Sequence, residues 1–343
     1  MYSAVPPPLA TVPVDGAGER LHVIRAGRRA FAGSSAAALD PALRVYLSDM
    51  IRPHQVQLRE DLLGQGAGHS YGEMAEQLLR DTVSADEPVD LLILAFAIPD
   101  VIPGRATASY LSHVCPGGPL AFAICDQGRA AAFTGLRLAG EYQRAGDCAR
   151  ALLVVVEQAA LHYGLVAPAS VPDGHAAVAL LLADAGAARI EAVHQHPDIS
   201  AGQLGDLLAA EIAAMSPQRP KATLIAGASL GAARPAALRA LRAACAEGQV
   251  RVAQAGQPYT GVWWELAGAL AGPPGAVEGV ERTVLLADYD PELRYLCLAV
   301  MDIQAGGSAA PASSQSLSLA KPDAMRSSSW GVPSSARASW CSR

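Results

Sequence analysis

The feature that most constrains the fold is a series of short apolar runs: VDLLILAFA (89–97), LAFAI (120–124), ARALLVVVEQ (149–158), the run that follows the glycine turn in PDGHAAVALLLADAG (172–186), KATLIAGAS (221–229), ERTVLLADYD (281–290) and LRYLCLAVMDI (293–303). Each has the length of a strand and little apolar–polar alternation, so each reads as a strand buried on both faces. None approaches the roughly 20 apolar residues that a bilayer crossing needs. Amphipathic segments stand between them. SYGEMAEQLLRDTVSAD (70–86) places Met74, Leu78 and Leu79 on one helical face, and 130–145 reads as a helix rich in small residues that ends near Gly146. Further helices are predicted over 199–215, 235–248 and 260–272, the second with basic residues late in its length. Strands alternating with helices imply a mostly parallel sheet covered on both faces, and the last two runs imply a terminal hairpin.

With 343 residues, 51% of them hydrophobic, the chain can bury a large core. The formal net charge of -6 gives no basic surface for nucleic acid. MYSAVPPPLATVPVDG lacks the basic start and continuous apolar stretch of a secretory leader, so a cytoplasmic protein with no membrane contact is expected. Six cysteines, Cys115, Cys125, Cys148, Cys245, Cys297 and Cys341, are scattered without a CxxC pair, so neither a zinc site nor a disulfide framework is expected, and no metal ligand set is read from the sequence. Beyond Gly306 the composition turns to Ser, Ala, Pro and Gly, and 306–343 is expected to be a disordered tail.

The order of these segments resembles the thiolase superfamily, in particular the initiating type of 3-oxoacyl-carrier-protein synthase. EMAEQLLRDTV and VDLLILAFAIPD, ending in Pro99 and Asp100, are similar to that family's helix and following strand. AFAICDQGRAAAFTGLRLAGEYQRAGDCARALLVVVEQ is similar to its nucleophile strand, buried helix and next strand, and PDGHAAVALLL to the glycine turn that opens the last strand of its first half. The likeness spans about residues 65–305. It implies a layered α-β-α-β-α arrangement of mixed sheets in two similar halves, 1–190 and a shorter 191–305.

In that family a cysteine heads the buried helix, where the helix dipole favours the thiolate. The resemblance puts Arg129 at that position, or Gly128 one residue earlier. The family histidine falls on Gly227, Ala228 or Ser229, and the asparagine on Tyr259 or Thr260. The resemblance thus implies substitution of all three groups and loss of ordinary decarboxylative condensation. Cys125 lies nearby but before the helix, as a substitute nucleophile or as a small buried strand residue. Asp126 is a candidate base, or half of a structural pair with Arg129. His175 stands where the family keeps a small residue, either facing the site or hydrogen-bonding within a turn. His194 and His196 form an HxH pair with no third ligand evident in the sequence, and read as solvated side chains. Tyr259, Thr260, Trp263 and Trp264 would line a tunnel for an acyl or aromatic ligand or a subunit interface, the tryptophans preferably the interface. The glycine-rich stretches at 64–68 and 227–231 lack the lysine of a phosphate loop and read as turns.

Two functions follow as expectations. The first is a non-condensing partner of a cysteine-bearing ketosynthase in polyketide, fatty-acid or related biosynthesis, of the kind the superfamily supplies as chain length factors. Arg129 would then plug the old pocket or reach across the interface. The second is an atypical acyltransferase that moves an acyl group from a coenzyme A or carrier-protein thioester to an amine or alcohol without an acyl-enzyme, with Asp126 or His175 as base. Either way a dimer is expected, with such a ketosynthase or with itself, an acyl carrier protein is a possible partner, and no cofactor is tightly bound.

Overall fold

The computed structural model describes residues 21–164, 170–215, 222–231, 249–271 and 282–303. The helix expected over 235–248 and the tail from 306 lie outside them. The first strands are β1 (His22–Phe31), β2 (Leu91–Ala95), β3 (Leu120–Ile124), β4 (Arg150–Glu157) and β5 (His175–Ala183). They are followed by β6 (Ala188–His196), β7 (Thr223–Ala226), β8 (Val250–Val252), β9 (Arg282–Asp290) and β10 (Tyr295–Ile303). The helices are α1 (Pro41–Ile51), α2 (Glu60–Gly64), α3 (Tyr71–Thr82), α4 (Thr107–Val114), α5 (Ala131–Arg144), α6 (Leu204–Met215) and α7 (Gly261–Leu270).

The strands join in the order β3-β2-β4-β5-β1-β6-β10-β9-β7-β8. Read outward from the β1–β6 junction, the two sides repeat one pattern: β1, β5, β4, β2, β3 on one side and β6, β10, β9, β7, β8 on the other. The junction itself is thin, with His22 opposite Arg189 and Val23 opposite Ala188. The sheet is mixed rather than mostly parallel. β2 runs parallel to β3 and β4, and β7 to β8 and β9, while β5, β1, β6 and β10 pair with their neighbours antiparallel. The reason is local. A helix separates β2 from β3 and β3 from β4, as a parallel crossover requires, whereas β9 and β10 are joined by a short turn that only antiparallel strands can use.

Alternation along the buried strands builds the layers, because successive side chains leave opposite faces of a strand. Leu92, Leu94, Leu152, Val154 and Val156 pack with Met74 and Leu78 of α3. Leu91, Ile93, Leu153 and Val155 point the other way, into a core shared with Phe133 and Leu136 of α5, Trp263 and Leu266 of α7, and Leu286, Cys297 and Met301 of the second half. Leu285, Leu298 and Val300 then pack with Leu204, Leu208 and Ile212 of α6. The succession is outer helices, strands, central helices, strands, outer helix. This is the five-layered α-β-α-β-α arrangement.

α3 shows how the sequence fixes an element. Ser70 accepts from the Glu73 backbone N–H and Glu73 accepts from that of Ser70, a reciprocal capping box. The Pro99-Asp100 pair ties this helix to the sheet. Asp100 Oδ1 accepts from the Tyr71 backbone N–H at 2.9 Å, and its Oδ2 accepts from the Thr107 hydroxyl at the start of α4 at 3.2 Å. Burial raises the Asp100 carboxyl to about 6, against those hydrogen bonds. The run Leu120–Ile124 forms a strand at the sheet edge and leaves Leu120 57% exposed. No helix among the described residues is long and apolar enough to cross a membrane.

Candidate functional site

The chain turns sharply between β3 and α5. Asp126 (φ 60°) and Gly128 (φ 51°) are both left-handed, a conformation open to glycine and tolerated by aspartate. A short 3-10 turn, Gly128–Ala130, leads into α5 and buries Arg129. A Cβ on Gly128 would meet Asp290 Oδ2 at 2.0 Å, so the elbow has no room for a side chain there.

Asp290, at the end of β9, holds the elbow. Its Oδ2 accepts from the Arg129 backbone N–H at 3.0 Å, and its Oδ1 accepts from the backbone N–H groups of Glu292 and Leu293, both at 3.0 Å. A carboxylate therefore already occupies the positive end of α5, where unpaired N–H groups favour an anion. The Arg129 side chain turns inward. Its Nη1 donates to the Pro258 carbonyl at 2.6 Å and lies 3.8 Å from Asp288 Oδ1, and its guanidinium sits 5.9 Å from the Tyr259 ring centre.

Two further carboxylates complete this centre. Glu157, at the end of β4, accepts through Oε2 from the backbone N–H groups of Tyr259 (2.9 Å) and Thr260 (3.2 Å), and through Oε1 from the Thr260 hydroxyl. It thereby fixes the start of α7. Burial pushes its carboxyl up to about 7, opposed by these hydrogen bonds and by Arg129. Asp288 is wholly buried and is pushed up to about 6 by that burial, again opposed by Arg129. Asp288 also fills the space before Gly227, where an added Cβ would lie 1.9 Å from its Oδ1. Ser229, two residues on, donates to the Tyr289 carbonyl at 2.5 Å within a 3-10 turn.

The three stretches singled out in the sequence, Gly128–Arg129, Gly227–Ser229 and Tyr259–Thr260, thus meet around one buried network. The carboxylates that organise it, Glu157, Asp288 and Asp290, were not singled out. A signal was present in the sequence: an acidic residue closing each of two apolar runs, VVVE and ADYD, is costly unless it is paired.

The other candidates lie apart from Arg129. Cys125 and Asp126 line a cleft of about 350 Å³ with Tyr71, Leu94, Pro99 and Asp100. Partial burial and the adjacent Asp126, whose Oδ2 is 3.5 Å from Sγ, raise the Cys125 thiol above its usual range and disfavour the thiolate. Cys125 is exposed rather than a small buried strand residue, and the four cysteines among the described residues are all free. Asp126 does not pair with Arg129, whose acidic neighbours are Asp288 and Asp290.

His175 belongs to another cluster. Its Nδ1 accepts from the Ala159 backbone N–H at 3.3 Å, its ring meets that of His69 edge-on at 5.4 Å, and burial together with His69 lowers it to about 4. It does not line the cleft that holds Asp126. Trp263 is fully buried and packs on Phe133 at 4.8 Å between ring centres, so it belongs to the core rather than to an interface. Trp264 is partly buried beneath the Arg28 guanidinium, 4.9 Å from its ring centre. The His194–His196 pair is also corrected: both side chains are partly buried, and Glu211 of α6 accompanies them as a third group.

No protein-family model matches the sequence. No curated protein matches it either. Solved structures do. AbyA1, a tetronic acid condensing enzyme, aligns with a TM-score of 0.57 at 17% identity over 83% of this chain and 100% of its own. ChlB3, described as an acyltransferase, aligns with a TM-score of 0.55 at 16% identity over 85% of this chain and 100% of its own. The 3-oxoacyl-(acyl carrier protein) synthase III of Pseudomonas aeruginosa aligns with a TM-score of 0.51 at 16% identity over 82% of this chain and 98% of its own. At such low identity the likeness speaks for architecture alone, and on that ground the chain has the thiolase fold of these ketosynthase-like proteins.

Proposed function

We propose that the protein is a ketosynthase-like subunit that does not condense, and that it serves acyl-thioester biosynthesis as the partner of a cysteine-bearing ketosynthase. The observation that carries this reading is the state of the α5 head. The carboxylate of Asp290 takes up the Arg129 N–H, and the Arg129 side chain fills the space between Asp288 and Pro258. Arg129 cannot form an acyl-enzyme, because its guanidinium stays protonated and offers no lone pair for attack. The partly exposed strand β3, which among the described residues pairs only with β2 at the end of the sheet, supports a role in pairing.

A second reading, direct acyl transfer from a coenzyme A or carrier-protein thioester to an amine or alcohol, is favoured by the open cleft and by the description of ChlB3. Asp126 would then be the base. His175, outside the cleft, would not take part.

Native mass spectrometry of the protein alone and mixed with candidate ketosynthases, followed by incubation with acyl thioesters, tests both. The proposal predicts a specific heterodimer that carries acyl groups only on the partner. A homodimer that transfers acyl groups unaided refutes it in favour of the second reading. An acyl adduct on Cys125 refutes both.

A further inference from the structure

β6 has two different faces. Val193 packs in the central core, and Gln195 donates to the Ala130 carbonyl (3.3 Å) and the Thr134 hydroxyl (3.0 Å) at the start of α5. Alternation therefore places His194 and His196 together on the opposite, outer face. α6 lies over that side of the second half, with Leu208 and Ile212 in the outer core, and Glu211 projects from it between the two rings.

The three groups lie close enough to share one ion, with His194 Nδ1 and Glu211 joined by a hydrogen bond in its absence. Glu211 Oε2 lies 2.6 Å from His194 Nδ1, and Oε1 lies 3.3 Å from His196 Nε2. One donor atom from each of the three residues can be chosen so that all lie within 4.8 Å of one another. Bond lengths of about 2.0–2.1 Å to zinc imply a spacing of about 3.3 Å between ligands at a tetrahedral centre. The His196 contact to Oε1 has that spacing, the His194 contact is made to the other oxygen, Oε2, and the three donors, at most 4.8 Å apart, need side-chain adjustment to close on one ion. His196 Nε2 is enclosed yet makes no well-formed hydrogen bond. Side-chain exposures of 25%, 14% and 17% for His194, His196 and Glu211 keep the group near the protein surface.

We propose that His194 Nδ1, His196 Nε2 and the Glu211 carboxylate bind one divalent cation of the zinc type, with water as fourth ligand. Two neutral imidazoles and one carboxylate suit zinc, which accepts nitrogen and oxygen donors in tetrahedral geometry. The cation joins β6 to α6 on the side of the strand away from Arg129. It acts as a clasp on the second half, independent of the acyl-thioester reading, and its binding energy adds to folding stability.

The test is titration of the chelator-treated full chain with zinc chloride by calorimetry, and with cobalt chloride by visible absorption. One equivalent of zinc per chain is expected, with thermal unfolding raised by about 5 °C at hundredfold excess over the dissociation constant. Cobalt should give the intense bands of a tetrahedral site. His196→Ala and Glu211→Gln should each weaken binding by about tenfold or more, the second without change of shape. Absence of saturable binding, the pale spectrum of octahedral cobalt, or unchanged affinity in Glu211→Gln would overturn the proposal. The last result would assign the metal to other side chains.

Discussion

Arg129→Met offers the most direct test of the buried network, because it keeps most of the volume while removing the charge and the donors. The wild-type guanidinium donates to the Pro258 carbonyl, lies 3.8 Å from Asp288 and lowers the carboxyl pKa of both Glu157 and Asp288. Removing one member of a buried ionic group costs about 3–5 kcal/mol when the remainder stays charged. Here the remainder can escape by taking up protons. The Glu157 and Asp288 carboxyls are already raised to about 7 and about 6, so at pH 5 both are mainly neutral and the charge on Arg129 has less to act on. The loss at pH 5 should then shrink to about 1–2 kcal/mol, mostly the unpaired Pro258 carbonyl. At pH 8 both carboxylates are ionised and the full 3–5 kcal/mol, about 10 °C in thermal midpoint, should appear. Urea unfolding of the two proteins at both pH values measures the difference. A deficit below about 1 kcal/mol at pH 8, or one no smaller at pH 5, would refute the account of Arg129 as the counter-charge of this centre.

Two further outcomes are expected. Glu157→Gln should change the pH dependence of stability: a carboxyl raised from its usual 4.5 to about 7 stabilises the fold fully below the unfolded value and loses that contribution as pH rises through the folded one. The variant should therefore gain about 3 kcal/mol relative to wild type between pH 4.5 and 8, and parallel stability curves would contradict the assignment. Gly227→Ala should cost about 1–3 kcal/mol because its Cβ meets Asp288 Oδ1, and should cost almost nothing in an Asp288→Ala background; additive losses in urea unfolding would show that Asp288 does not occupy that space.

The chain's strands were legible wherever an apolar run stood between turn signals. β2, β4, β5, β7, β9 and β10 fall within runs whose burial on both faces leaves no alternation to misread. β1 escaped notice because HVIRAGRRAF carries three arginines, and its burial comes from pairing with β5 along most of its length. α4 is short and lacks a side-chain cap, so no local signal marks it. The meeting of Gly128–Arg129, Gly227–Ser229 and Tyr259–Thr260 was legible through the resemblance. What fills the space between them was not, since Glu157 and Asp288 reach Thr260 and Arg129 across more than a hundred residues of chain.

By itself, the sequence determined that the strands are covered on both faces, because residues of alternate faces in such a strand must find apolar cover on both sides and the intervening amphipathic helices supply it; the five-layered order came only with the family resemblance. The family resemblance added the expectation that Arg129, or Gly128 one residue earlier, stands where that family carries its acyl group. Only the tertiary structure decided which charges surround that arginine and which acid completes the HxH pair. His194, His196 and Glu211 are brought together by α6 packing over the outer face of β6, and Arg129, Asp288, Asp290 and Glu157 by strands from both halves converging on one core. Such groups are selected by distance in space, and spacing along a chain carries no information about it once the partners lie on different elements.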